Sequence, residues 1–346
     1  MKDRPILGTP ARLALNALLI AGGIGLVLWL LVQLRLVVVP FLLALLFSTL
    51  LVPLADRMRD RGMPSAPATL VSMLLAFGLV AGAVSIVAPA VADQLDDLGR
   101  ELRAGFDQAV KWLIEGPLNL TQGEIDRSID QAIDRLRESS GPLTRGVISG
   151  ATLVAELIAG LLLFVVLVFF FVHDGRRIWG WVVSLAPAAN RADVDEVGHR
   201  GWRALSGYVR GVVVIALVDA VLIGIALWII GVPLVLPLSV LVFLGAFVPL
   251  VGAVLAGAVA ALVALVSNGV VAALIVVAVI TAIQQLEGDL LYPVIVGKAI
   301  DLHPAAILLV LTGGTVVAGL AGAVLAVPIA AAVWAGVSHL RRPATE

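Results

Sequence analysis

Long apolar runs separated by short polar breaks dominate the sequence, at 13–33, 36–55, 66–92, 147–172, 208–231, 234–266, 269–283 and 305–338. A helix rises about 1.5 Å per residue and a bilayer core is about 30 Å thick, so roughly 20 apolar residues cross it. The pattern predicts an all-α polytopic membrane protein with about eight transmembrane helices. Two segments are too long for one upright crossing. Runs 234–266 and 305–338 would each reach about 50 Å as straight helices, so each must tilt or break. The first contains Pro237, Pro249, Gly252 and Gly257, and the second Gly313, Gly314, Gly319, Gly322 and Pro328. Broken or re-entrant helices are expected there.

Polar stretches orient the array. Asp56 to Gly62 carries three arginines against two aspartates, and Phe171-Val172-His173-Asp174-Gly175-Arg176-Arg177 ends the fourth run in a basic cluster. The positive-inside rule puts both in the cytoplasm, and an even number of crossings then puts both termini there. Pro53 marks the expected end of the second span. The region 93–145 is the one sizeable hydrophilic stretch. Its apolar residues recur at three- and four-residue steps and its carboxylates outnumber its basic groups, as two amphipathic helices on the outer side would. A short amphipathic helix is expected at 193–205, after the interfacial Trp179 and Trp181. The organisation is therefore 1–92 with three spans, 93–146 outside, 147–207 with the fourth span and the amphipathic helix, and 208–346 with the broken segments. The first run lacks a small-residue cleavage site and reads as a retained helix. Pro40 to Pro53 and Pro237 to Pro249 look alike, a hint of an internal repeat.

Composition narrows the function. With 61% hydrophobic and 14% charged residues and a net charge of −1, the chain has no global field for nucleic acid. The absence of cysteine excludes disulfides, thiolate catalysis and cysteine metal sites, and four histidines make a dense histidine site improbable. No Walker sequence, zincin helix or nucleophile elbow in a suitable context is present, so an enzyme is not expected. What remains are polar groups among apolar ones. Asp219 sits mid-span, where an aspartate costs ~2.5 to 3.5 kcal/mol on insertion scales, so it needs a cavity, a partner or a proton. A polar island, Gln284-Gln285-Leu286-Glu287-Gly288-Asp289, interrupts the apolar runs. A solute crossing the core must exchange its water for fixed polar groups. The expected pathway therefore gathers Asp219, the break at Pro249 and Gly252, Gln284, Gln285, Glu287, and Thr312, Gly313, Gly314 and Thr315. For Gln284 to Glu287 the rival reading is a helix end at a membrane surface, and for Asp219 a structural hydrogen bond between helices.

Several blocks together resemble the autoinducer-2 exporter family of bacterial membrane transporters: Phe169 to Gly175, Tyr208-Val209-Arg210-Gly211 with Asp219, Gly231-Val232-Pro233-Leu234, Phe247 to Gly252, Gln284 to Glu287, Leu302-His303-Pro304, and Gly313-Gly314 with Val327-Pro328. The resemblance spans most of the chain. It implies eight helices, a large loop after the third, homo-oligomeric assembly as a pentamer, and export of small polar solutes across the lipid bilayer of the bacterial cytoplasmic membrane. It leaves H+ and Na+ open as coupling ions. His173 stands where the family commonly has lysine, and the residues near Leu250 and Ala253 lack the family's aromatic and second proline. A secondary transporter is the first reading, and a channel or a cation/proton antiporter the alternative.

Topology is directly testable. Cysteines introduced singly at Arg59 and Asp126 should differ in labelling by an impermeant reagent on sealed cells, with Asp126 the reactive one. Equal labelling would refute the assignment of opposite faces.

Overall fold

The computed structural model describes residues 22, 23, 25, 26, 29, 30, 32–87, 89, 146–248, 251–291 and 303–340. The first apolar run lies mostly outside the described residues, and the amphipathic region 93–145 lies wholly outside them. Among the described residues every regular element is helical. Helix α1 is Arg35–Asp60, α2 is Ser65–Val87 and α3 is Gly146–Ser184. A 3₁₀ turn, Ala188–Asn190, leads into α4, Arg191–Ile230. Then come α5, Val235–Gly245, α6, Val251–Asn268, and α7, Val270–Leu286. A π turn, Glu287–Leu291, closes α7, and α8 is Pro304–Leu340.

The first three helices form a scaffold. Ala44, Leu51 and Ala55 of α1 meet Met73 of α2 and Val168 and Val172 of α3 in one buried cluster, with Phe47, Phe77 and Phe164 packed around it. Pro53 does not end α1, which runs on to Asp60 with both prolines inside it. Packing of Leu51 and Ala55 on both sides of Pro53 holds the helix through that position. The arginines counted as a loop thus lie partly on the helix, where cations in a last turn face the negative end of its dipole. One of them ties the scaffold together. Arg59 donates to Asp56 at 2.9 Å, to Thr69 Oγ1 of α2 at 3.1 Å and to the Val172 carbonyl of α3 at 2.7 Å. A cysteine at Arg59 would remove this tie, so the exposed Arg61 is the better labelling position on this face.

Two further expectations change. Helix α3 continues through the basic cluster to Ser184, and the segment 193–205 is not a separate helix but the first part of the 40-residue α4. Gly207 alone does not break it, because Leu205, Ser206, Tyr208 and Val209 are buried on both sides of the glycine. The elbow between α3 and α4 is pinned. The Trp179 indole donates to Asp195 Oδ1 at 2.7 Å and lies so close over Gly198 that a Cβ there would overlap the ring.

Each overlong segment doubles back. Gly231, at φ +80°, ends α4 in the left-handed conformation that glycine adopts most readily. The chain then enters α5, about 16 Å long and half the core. It returns along α6, and Asn268 at the far end donates to the Gly231 carbonyl at 3.3 Å. Both ends of this hairpin therefore lie on one side. In α8 the helical path fails at Ala318 and Gly319 (φ +57°). Gly314 and Gly322 would be about 12 Å apart in a straight helix. Instead a Cβ on Gly314 would stand 2.6 Å from the Ala326 Cβ, and one on Gly322 would overlap the Gly314 carbonyl. The first hairpin repeats this closure, with Gly245 against Gly252 and Ala256. The internal resemblance thus lies between the two hairpins. Pro40 to Pro53 is continuous helix and shares no such turn. Eight apolar segments are present in sequence, and two of them turn back within the protein.

Helix α4 carries both hairpins. Ile223 and Leu227 pack with Leu238 and Val242 of α5, Ala256, Ala260 and Val263 of α6 and Val276 of α7. Nearer its start, Tyr208, Val209 and Ile215 pack with Val327 and Ala331 of the returning arm of α8. Gly201 meets the Ala332 backbone there, and Gly336 meets Val197.

The closure of the second hairpin predicts a contrast between adjacent glycines. Gly314→Ala should destabilise by about 1–3 kcal/mol through overpacking. Gly313→Ala has nothing within 4 Å and should gain up to about 1 kcal/mol of helix propensity. Thermal unfolding of the two variants in one detergent would check this, and equal midpoints would contradict the hairpin.

Candidate functional site

Asp219 lies on α4 one turn from Ile215 and one turn from Ile223, between the stretch that carries the second hairpin and the stretch that carries the first. It is 2% exposed. Surrounding valines and alanines offer no polar group, and a carboxylate in that position needs a partner from another element. That partner is Glu287. Its carboxyl comes within side-chain hydrogen-bonding range of that of Asp219, while Asp219 Oδ1 has no hydrogen-bond partner among the described residues.

The pairing follows from how α7 ends. Helix α7 crosses from Gly269 and packs on the first hairpin through Val276 and Ile280. At its end the chain widens into the π turn, which begins at Glu287. A π turn re-aims side chains relative to an α-helical path and recurs at functional sites. Two ionised carboxylates have acceptors only, so a hydrogen bond between these two groups requires one of them to carry a proton. Like charge at this separation reinforces the requirement. The arrangement can take up and release a proton, and the free Oδ1 gives it one further acceptor for a solute donor or a cation.

The other expected residues are distributed unevenly around this pair. Gln284, one turn before Glu287, is half-buried, whereas Gln285 is exposed. Gly252 is buried against Gly245 at the tip of the first hairpin, and Gly314 closes the second. Gly313 stands in open space. Thr312 and Thr315 are exposed and turn their hydroxyls to their own helix, donating to the carbonyls of Leu308 at 2.8 Å and Leu311 at 2.7 Å. Pro249 lies outside the described residues. The structure thus brings Asp219 and Glu287 into contact and gives the two threonine hydroxyls local partners.

Sequence reasoning passed over some of the polar groups that shape this region. Ser206 is buried on α4 with no partner for its hydroxyl among the described residues. Ser239 of α5 occupies the space above Gly224 and donates to the Val235 carbonyl at 2.8 Å. Serines are common in membrane helices, and only the burial of these two distinguishes them. The Asp219–Glu287 pair did have a signal, since both acids interrupt apolar runs. Their 68-residue separation is what hid the contact.

Comparison with known proteins agrees with the architecture. A family model described as AI-2E family transporter matches residues 17–342. The chain is 40% identical over 327 residues to MT0215 of Mycobacterium tuberculosis (strain CDC 1551 / Oshkosh), covering 94% of this chain and 89% of that one. It is 30% identical over 337 residues to YrrI of Bacillus subtilis (strain 168), covering 92% and 90%. YueF of the same organism is 26% identical over 294 residues, covering 81% and 78%. All three are named as proposed transport proteins. With its apolar helices, its two closed hairpins and a match across nearly its full length, the chain belongs to the AI-2E family of membrane transporters.

Proposed function

We propose that this protein is a secondary transporter that exports a small polar solute, of the autoinducer-2 type or a related metabolite, across the bacterial cytoplasmic membrane, with a proton at Asp219 and Glu287 as the coupling ion. Both termini are assigned to the cytoplasm. The observation that carries the reading is the carboxyl pair formed by Asp219 of α4 and Glu287 at the end of α7, at the junction of the two hairpins. Intramembrane acids are costly, and a pair that shares a proton is a natural relay element. Broken helices beside it are the feature that best locates a transporter's central site. Gln284 supplies an amide that both donates and accepts, which suits a hydroxylated or zwitterionic solute.

A second reading, cation/proton antiport, is favoured by one observation. Among the described residues Asp219 Oδ1 lacks a partner, so a monovalent cation that displaces the shared proton would find acceptor oxygens from two carboxylates. Homo-oligomeric assembly belongs to the same proposal, and the apolar exposed faces of α2 and α3 offer surface for lipid and for neighbouring copies.

The test uses the full chain in proteoliposomes. Asp219→Asn keeps a hydrogen bond to Glu287 and removes the shared proton. Autoinducer-2 flux driven by a pH gradient should fall to the level of empty vesicles while the variant remains monodisperse. Wild-type dependence on the gradient in the folded variant rejects the coupling role, and flux driven by sodium at constant pH selects antiport.

The solute contact is tested separately. Gln284→Leu should abolish the stabilisation that autoinducer-2 confers in a thermal-shift assay, with assembly intact. Gln285→Leu should have the smaller effect, because Gln285 is exposed. Full stabilisation in both variants would move the solute site elsewhere.

A further inference from the structure

Helix α3 presents a line of exposed side chains along one face, interrupted at the half-buried Asp174, which pairs with His173. Leu162, Val166 and Phe170 form its apolar part, and at steps of seven and four residues the same line continues through Arg177 to Trp181, with the exposed Leu185 just past the helix end. Positions at these spacings share a helix face. Exposure of the first three is what lipid tails require. Trp181 and Leu185 need a different account, because they are 63% and 66% exposed beyond the arginines.

The elbow prevents Trp181 from turning inward. Trp179 is fixed against α4 by its bond to Asp195 and its contact with Gly198. Two residues on, at about 100° per residue, Trp181 faces the opposite side of the same rigid helix. Arg177 is exposed and has no hydrogen-bond or ion-pair partner among the described residues. Beside it the Arg176 side chain is 94% exposed, with one contact of 3.4 Å to Asp56.

The spacing fits a headgroup layer. Arg177 and Trp181 are separated by a rise of about 6 Å, and the polar layer on each side of a bilayer is about 5–8 Å thick. Indole rings favour that layer, and a guanidinium matches the paired oxygens of a phosphodiester. We propose that the outward face of α3 at Arg177 and Trp181 binds the headgroups of anionic phospholipids in the leaflet on the Arg57 to Arg61 side. The phosphate sits on the Arg177 guanidinium, the indole lies alongside, and Arg176 adds the second positive charge that favours an anionic over a zwitterionic headgroup. A second copy of the chain laid on this face would have to bring an acceptor to Arg177, whereas a phospholipid carries one in every molecule.

The full-length protein in detergent tests this with three probes: short-chain phosphatidylglycerol, phosphatidylcholine of the same chain length, and glycerol phosphate without acyl chains. Phosphatidylglycerol alone should raise the unfolding midpoint, and the shift should shrink in Arg177→Gln and in Trp181→Ala. Equal shifts with the two lipids, or an undiminished shift in both variants, overturn the proposal. A shift from glycerol phosphate equal to that from the lipid would show an anion site without lipid selectivity and also overturn it. Native mass spectrometry of the wild type, delipidated and then offered both lipids in equal amounts, needs no variant to fold. Preferential retention of phosphatidylglycerol is expected, and equal retention overturns the site. Loss of oligomer in the variants without a lipid-selective shift would assign the face to a second copy instead.

Discussion

Backbone that leaves the helical path within hydrocarbon has no water to bond to, and this constraint shapes the second half of the molecule. Both overlong segments break, and both are enclosed the same way. Their arms fold back until one glycine meets another, Gly245 against Gly252 and Gly314 against Gly322. Side chains at those positions would hold the arms apart and open the tips to lipid. Small residues thus act here by admitting backbone to backbone, which in a membrane replaces the hydrophobic drive that holds soluble helices together.

The hairpins need a partner that does not change direction, and α4 provides it. Its length follows from two roles joined in one helix, since residues 197–215 receive the second hairpin and residues 223–227 the first. The scaffold of α1 to α3 joins this body mainly through α1, whose Leu46 and Leu50 pack where α4 meets α8, and also at the elbow between α3 and α4. Trp179 and Arg59 make the shortest interhelical side-chain ties on that side, one between α3 and α4 and the other among the first three helices. Each places a side-chain donor on an acceptor of another helix at the basic end of the bundle, where the helices leave the apolar layer.

The sequence made the class of the protein plain, because long apolar runs have few physical alternatives. It also marked Asp219 and Glu287 individually, since acids between apolar runs are conspicuous. Their contact was not legible, because it depends on the tilt of α7 and on the π turn that starts at Glu287. The doubling back of 234–266 and 305–338 was half legible. Proline and glycine announced a break, but a break alone does not distinguish a kink from a reversal; the distinction lies in Gly314 meeting Gly322 and Ala326, eight and twelve residues on, which only the folded path brings together. Continuity of α4 was misread for the opposite reason. A change from amphipathic to apolar periodicity near 205 looked like a boundary, yet periodicity records the surroundings of a helix and not its ends. Thr312 and Thr315 show the same limit, as hydroxyls near a break that bond to their own helix.

The position of Asp219 joins these threads. One turn before it, α4 packs against the returning arm of the second hairpin; one turn after it, against the first. A charge gained or lost at this point therefore acts on both interfaces at once, and in a low-dielectric setting such a change is felt strongly. Apolar packing on either side, by Ile215 and Ile223, excludes the water that would otherwise screen it. Among the described residues Glu287 is the carboxyl that a third element brings to Asp219, so the state of α7 enters the same balance. A carboxyl placed elsewhere on α4 would report to one hairpin; at residue 219 it reports to two.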